Sequence, residues 1–202
     1  MLFLSTGGSH AGIVDILVDT TPLQGTCGAL AFDFIDGDGL VNYTVTISGF
    51  TSDATLSAGS ASGDVSGTLS PGPLVLGDTD FFNGWLQDLT FGAFINFQIE
   101  STANGPFAPP DSFSFFLLDS SLLPYATDDP LGKDALLILD IANANPVAQA
   151  FASASATLTI SDVSVPVPTP GTLLLFMIGG SGILGIGLRK RGAYCRKDRE
   201  YS

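Results

Sequence analysis

Apolar and polar residues alternate with a period of two over much of the chain, and that pattern predicts β-strands. Val14, Ile16 and Val18 alternate with Asp15, Leu17 and Asp19, and Pro22 to Gly25 then reads as a turn. Gly28 to Phe34 is an apolar run that stops at Asp36-Gly37-Asp38-Gly39, a strong turn signal. Val41, Tyr43, Val45 and Ile47 alternate with Asn42, Thr44, Thr46 and Ser48, the cleanest strand pattern of all. Residues 51–73, rich in Ser, Gly, Thr and Ala, predict weak edge strands and loops. Residues 78–89 are expected to hold one helical turn or a packed loop, with their aromatic cluster plugging one end of the core. Alternation returns at Phe91, Ala93, Ile95, Phe97 and Ile99, breaks at Pro106 to Pro110, and resumes from Ser112 to Leu118. Leu136 to Ile141 is a continuous apolar run suited to a strand buried on both faces. Ala152, Ala154, Ala156, Leu158 and Ile160 form the last alternating series. Seven or eight short strands with frequent turns and no long amphipathic helix predict an all-β fold, an antiparallel β-sandwich of jelly-roll type.

After Val165 the pattern changes. Val165 to Pro170 is proline-rich and predicts an extended stalk. Residues 171–188 are 18 uncharged, mostly apolar residues. As a helix they would rise about 27 Å, enough to cross a hydrocarbon core. Arg189, Lys190 and Arg191 follow at once. The expected organisation is therefore a segment at 1–12, a sandwich domain at 13–164, a stalk at 165–170, one C-terminal transmembrane helix at 171–188 and a basic tail at 189–202.

Charge sharpens this division. Before Pro168 one basic residue, Lys133, stands against 18 acidic ones; after it six basic residues stand against Asp198 and Glu200. Basic residues beside an apolar span stay in the cytoplasm, which puts the tail inside and the acidic body outside. Such a body repels phosphates, so no nucleic-acid partner is expected, and cations or neutral sugars fit better. An exported body needs a leader. Residues 1–12 read as the remnant of a signal peptide, with Ser9-His10-Ala11 as a small-x-small cleavage site, although they have no basic start and no long apolar run. The alternative is a tail-anchored chain with a cytoplasmic body.

The C-terminal constellation resembles the PEP-CTERM sorting signal of Gram-negative bacteria that make exopolysaccharide. In that family a Pro-Glu-Pro motif precedes a short Gly- and Leu-rich span and an Arg-rich tail. The resemblance covers Val165 to Arg191, and glycines 179, 180, 182, 185 and 187 are typical of these spans. It implies recognition by an exosortase, a membrane thiol protease-transpeptidase, with Pro168, Thr169 and Pro170 as the sorting and cleavage motif and Arg189, Lys190 and Arg191 as the membrane-stop cluster. Two features depart from the family. Threonine stands at 169 where the motif has glutamate, and eleven residues follow Arg191. The body is similar to uncharacterised exported proteins bearing the signal, through Leu30 to Gly39, Val45 to Ile47 and Asp78 to Asn83. That likeness implies a β-sandwich at the cell surface, in a biofilm or in the extracellular matrix.

Chemistry in the body is sparse. The single histidine is His10, so no Ser-His-Asp or Cys-His catalytic pair and no His/Cys zinc site can form in the body. No enzymatic activity is expected, and nothing selects a pair among the acidic residues for glycoside hydrolysis. Asp33, Asp36 and Asp38, with Gly37 and Gly39, are candidate ligands for Ca²⁺, because hard cations gather several oxygens and Gly turns can aim them at one point. A plain Asp-Gly turn explains the same letters. Asp78 and Asp80 are further candidates. Trp85, with Phe81 and Phe82, is a candidate sugar-stacking surface, against the commoner fate of core packing. The function expected is thus a non-enzymatic structural or adhesive role, with a membrane-tethered, Ca²⁺-assisted exopolysaccharide-binding module as the alternative.

Overall fold

A computed structural model describes residues 9–103, 110–141 and 147–163, with the side chains of 9–12, 103 and 162–163 excepted. The chain divides into two units at Val165, and every described residue belongs to the first. The expected transmembrane helix, the stalk and the basic tail lie outside the described residues. Among the described residues, no helix is long and apolar enough to cross a membrane.

Among the described residues, twelve strands form two six-stranded antiparallel sheets. They are β1 (Ser9–Asp19), β2 (Cys27–Ile35), β3 (Tyr43–Ser52), β4 (Thr55–Ser62), β5 (Val65–Gly67) and β6 (Leu74–Gly77). The second half adds β7 (Phe82–Thr90), β8 (Phe94–Ala103), β9 (Asp111–Asp119), β10 (Leu137–Ile141), β11 (Val147–Ala150) and β12 (Thr157–Val163). One sheet runs β12-β1-β8-β3-β6-β5 and the other β11-β10-β9-β2-β7-β4. β1 pairs with β8, β2 with β7 and β3 with β6, so these six strands nest as one long hairpin shared between two sheets, while β4 pairs with β7 and β5 with β6. β1 begins at Ser9, four residues before the expected start of the domain.

Period two sets which side chains face inward. Val14, Ile16 and Val18 of β1, Tyr43, Val45 and Ile47 of β3, and Ile95, Phe97 and Ile99 of β8 come from the first sheet. Leu30, Phe32 and Phe34 of β2 and Phe113, Phe115 and Leu117 of β9 meet them from the second. Phe97 crosses between the sheets, its ring 5.5 Å from that of Phe32 and 5.1 Å from that of Phe115. These edge-on contacts suit the quadrupoles of the rings. Leu137, Ile138, Leu139 and Ile141 of β10 are all buried, as expected of a strand covered on both faces.

Residues 82–90 are a correction. They form neither a helical turn nor a loop but β7, hydrogen-bonded between β2 and β4. Its inward positions are Asn83, Trp85, Gln87 and Leu89, and the two buried amides break the apolar alternation. Each has local work. Asn83 Oδ1 accepts from the Asp64 N–H and its Nδ2 donates to the Asp80 carbonyl. Gln87 Nε2 donates to the carbonyls of Ser57 and Ala58, where β4 shifts register against β7. A bulge frees backbone groups, and a buried amide is what satisfies them.

Candidate functional site

The acidic turn after β2 sits at one end of the sandwich, where β2 and β6 finish and β3 and β9 begin. Asp36 Oδ1 accepts from the N–H groups of Asp38 and Gly39, at 3.0 and 2.6 Å, which folds the turn on itself. Gly39 has φ +74°, a conformation that favours glycine. Asp38 Oδ1 accepts from the Leu40 N–H, and its Oδ2 accepts from Asn42 Nδ2 at 2.9 Å. The Asp36 N–H donates to the Phe81 carbonyl, tying the turn to the start of β7.

A third carboxylate comes from far along the chain. Asp111 opens β9, points inward in series with Phe113 and Phe115, and is fully buried. Its Oδ1 accepts from the Gly37 N–H at 2.8 Å, a contact spanning 74 residues. Gly37 permits it, because a Cβ there would strike the Pro110 carbonyl. One oxygen each from Asp36, Asp38 and Asp111 lies within 4.8 Å of the other two. Asp78, 2% exposed, closes the group from the end of β6, its Oδ2 accepting from the N–H of Asn42 at 2.7 Å and of Tyr43 at 2.6 Å.

Electrostatics follow from this crowding. Burial pushes the Asp111 carboxyl up to about 6, the Gly37 N–H opposes the shift, and the charges of Asp36, Asp38 and Asp78 add to it. The Tyr43 phenol is also raised, by burial first and then by Asp111, Asp38 and Asp78. Among the described residues the arrangement offers oxygen ligands only. It can hold a hard cation but has no thiol or imidazole for a soft one.

Asp33 stands apart from this cluster. It lies on the outer face of β2, between Ser114 of β9 and Gly84 of β7, while Phe32 and Phe34 face the core. That outer face is apolar around Ala29, Ala31, Leu86, Phe116 and Leu118, and burial alone pushes Asp33 up to about 6. An aspartate raised above the unfolded value of 3.8 keeps its proton in the folded state where the unfolded chain has lost it. Stability therefore falls as pH rises from about 4 to about 6, and the cost of the charge is complete above that range. Asp33→Asn is expected to raise stability at pH 8 by about 1–2 kcal/mol, a figure discounted for partial exposure, and to change it little at pH 4. Urea unfolding at both pH values checks this, and an equal gain at both would count against it.

Trp85 is 9% exposed and belongs to the core, its ring lying over Gly59 of β4. The aromatic side chains left in solvent beside it are Phe81, 73% exposed, and Phe82. Asp80 is exposed and outside the carboxylate cluster. Pro168, Thr169, Pro170, Arg189, Lys190 and Arg191 lie outside the described residues. Asp111 escaped sequence reasoning because it follows a proline break. Extending the alternation of Phe113 and Phe115 back by one inward position would have flagged an inward carboxylate. No protein-family model, curated protein or solved structure matches the chain.

Proposed function

We propose that this is an exported, surface-directed protein whose C-terminal segment acts as a sorting and anchoring signal of the PEP-CTERM type. The observation that carries this reading is the order at the C-terminus: a proline-rich stretch, 18 uncharged residues from 171 to 188, then Arg189, Lys190 and Arg191. The span halts export, the basic cluster fixes orientation, and an exosortase-type enzyme cleaves near Pro168 to Pro170 and hands the body onward. The nested pairing of β1 with β8, β2 with β7 and β3 with β6 supports a sandwich of jelly-roll type, with β9 to β12 extending its sheets. A structural or adhesive role in the envelope or matrix is preferred to polysaccharide binding, because the best stacking residue, Trp85, is committed to the core.

Replacing Arg189, Lys190 and Arg191 together with glutamine is expected to move most of the protein out of the membrane fraction or to block its conversion to the mature form. Intact mass of the protein in each fraction of its native host reads both effects. A wild-type body ending near Pro168 to Pro170 would support cleavage. Unchanged fractionation and mature mass in the triple variant would count against the signal.

A further inference from the structure

The end of the sandwich around Asp111 presents more oxygen than its own hydrogen bonds use. Among the described residues, three side-chain oxygens there are buried without a partner: Asp111 Oδ2, Asn42 Oδ1 and Tyr43 Oη. Two belong to side chains almost wholly buried, Asp111 at 0% and Tyr43 at 3% exposure. Buried polar atoms are nearly always partnered, and an orphan carboxylate oxygen next to two more carboxylates is the least favourable kind. The donors within the group, the N–H groups of Gly37, Asp38, Gly39 and Leu40 and the Asn42 amide, are neutral and point at other oxygens. Lys133, the one basic residue between His10 and Pro168, sits in a different loop, its N–H donating to Asp129.

We propose that Asp36, Asp38 and Asp111 bind one divalent cation of the Ca²⁺ class, with the Asn42 side-chain carbonyl as a further ligand and the Tyr43 hydroxyl at the back of the site. Ligand oxygens lie about 2.3–2.6 Å from Ca²⁺, so oxygens on opposite sides of one ion stand up to about 5 Å apart. The three carboxylates already fall within that spread, at 4.8 Å or less. Mg²⁺, at about 2.1 Å with a strict octahedron, would need the group to contract. The ion would give the orphan oxygens a partner and cancel repulsion that no described residue of the cluster cancels. The site is built from residues of the body and needs no processing of the C-terminus.

The test uses the full-length chain in mild detergent, stripped with a chelator. CaCl₂ is added in a calorimetric titration and in thermal unfolding, with MgCl₂ at matched ionic strength as comparator. One Ca²⁺ per chain is expected, with Kd on the order of 10⁻⁴–10⁻³ M, the range of extracellular sites. At about tenfold excess over Kd, Tm should rise by roughly 3–5 °C. Asp111→Asn and Asp38→Asn should each erase that rise, while Asp88→Asn, at an exposed position of β7, keeps it. In chelator, Asp38→Asn should still unfold cooperatively at or above the wild-type Tm, since one like charge is gone. A lost rise would then report lost binding rather than lost folding. The proposal is overturned by a wild type that shows neither heat nor shift at about 10 mM Ca²⁺, far above the expected Kd. It is equally overturned by an Asp38→Asn variant that keeps the full rise, or by MgCl₂ giving the same shift, since screening alone would then suffice.

Discussion

Phe32→Ala is expected to lower the stability of the sandwich by about 3–5 kcal/mol, the range for a large aromatic removed from a close-packed core. Phe32 is fully buried at the middle of β2. It packs against Phe115 across β9, with ring centroids 5.1 Å apart, and against Phe97 of the facing sheet. The vacated volume cannot close by a local shift, because the rings around it belong to two different sheets. Urea unfolding should show a lower midpoint with an unchanged slope. Phe81→Ala, at an exposed position, should stay within about 0.5 kcal/mol of wild type. A Phe32→Ala loss below about 1.5 kcal/mol would mean that the core relaxes into the space, contrary to the packing described.

Asp78→Ala is expected to cost about 2–4 kcal/mol, although it removes a negative charge from an acidic neighbourhood. Its carboxylate holds two N–H groups, those of Asn42 and Tyr43, where the acidic turn enters β3. Bonds to a charged acceptor are worth about 1.5–3 kcal/mol each, and the donors left behind cannot all reach water. Relief of repulsion from Asp38 and Asp111 offsets part of the loss, which is why the expected figure lies below the sum of two such bonds. Asp78→Asn, which keeps one acceptor oxygen, should cost less than half as much. Chemical unfolding of both variants in chelator separates the terms. If Asp78→Ala proves as stable as wild type, repulsion outweighs the hydrogen bonds and the carboxylate does not anchor the turn.

The strands with simple alternation were legible because each has one face in the core and one in solvent. Tyr43, Val45 and Ile47 are buried while Thr44, Thr46 and Ser48 are not, and the letters say so directly. β7 was misread because Asn83 and Gln87 point inward to satisfy backbone groups of other segments, Asp64 and the β4 bulge. A polar residue facing inward looks, in sequence, like a broken strand. β11, four residues paired among the described strands with β10, carries too short a pattern to stand out. At the candidate site, Asp36 and Asp38 announced themselves through the Gly turn. Asp33 did not join them, because the period of two puts it on the outer face of β2 beside Gly84.

Sequence alone predicts seven or eight strands where the described residues form twelve. What it determined is where the strands of simple alternation lie and which of their faces is apolar, the division between an acidic body and a basic tail, and the C-terminal constellation. These are local properties, set by side-chain type and spacing along a few residues. Tertiary structure decided the rest. Backbone hydrogen bonds carry no residue identity, so any strand can pair with any other, and burial of both inner faces at once selects β1 with β8 and β2 with β7 and β9. That choice brings Asp111 to Gly37 across 74 residues. A turn of two aspartates becomes a site only when the fold supplies the third.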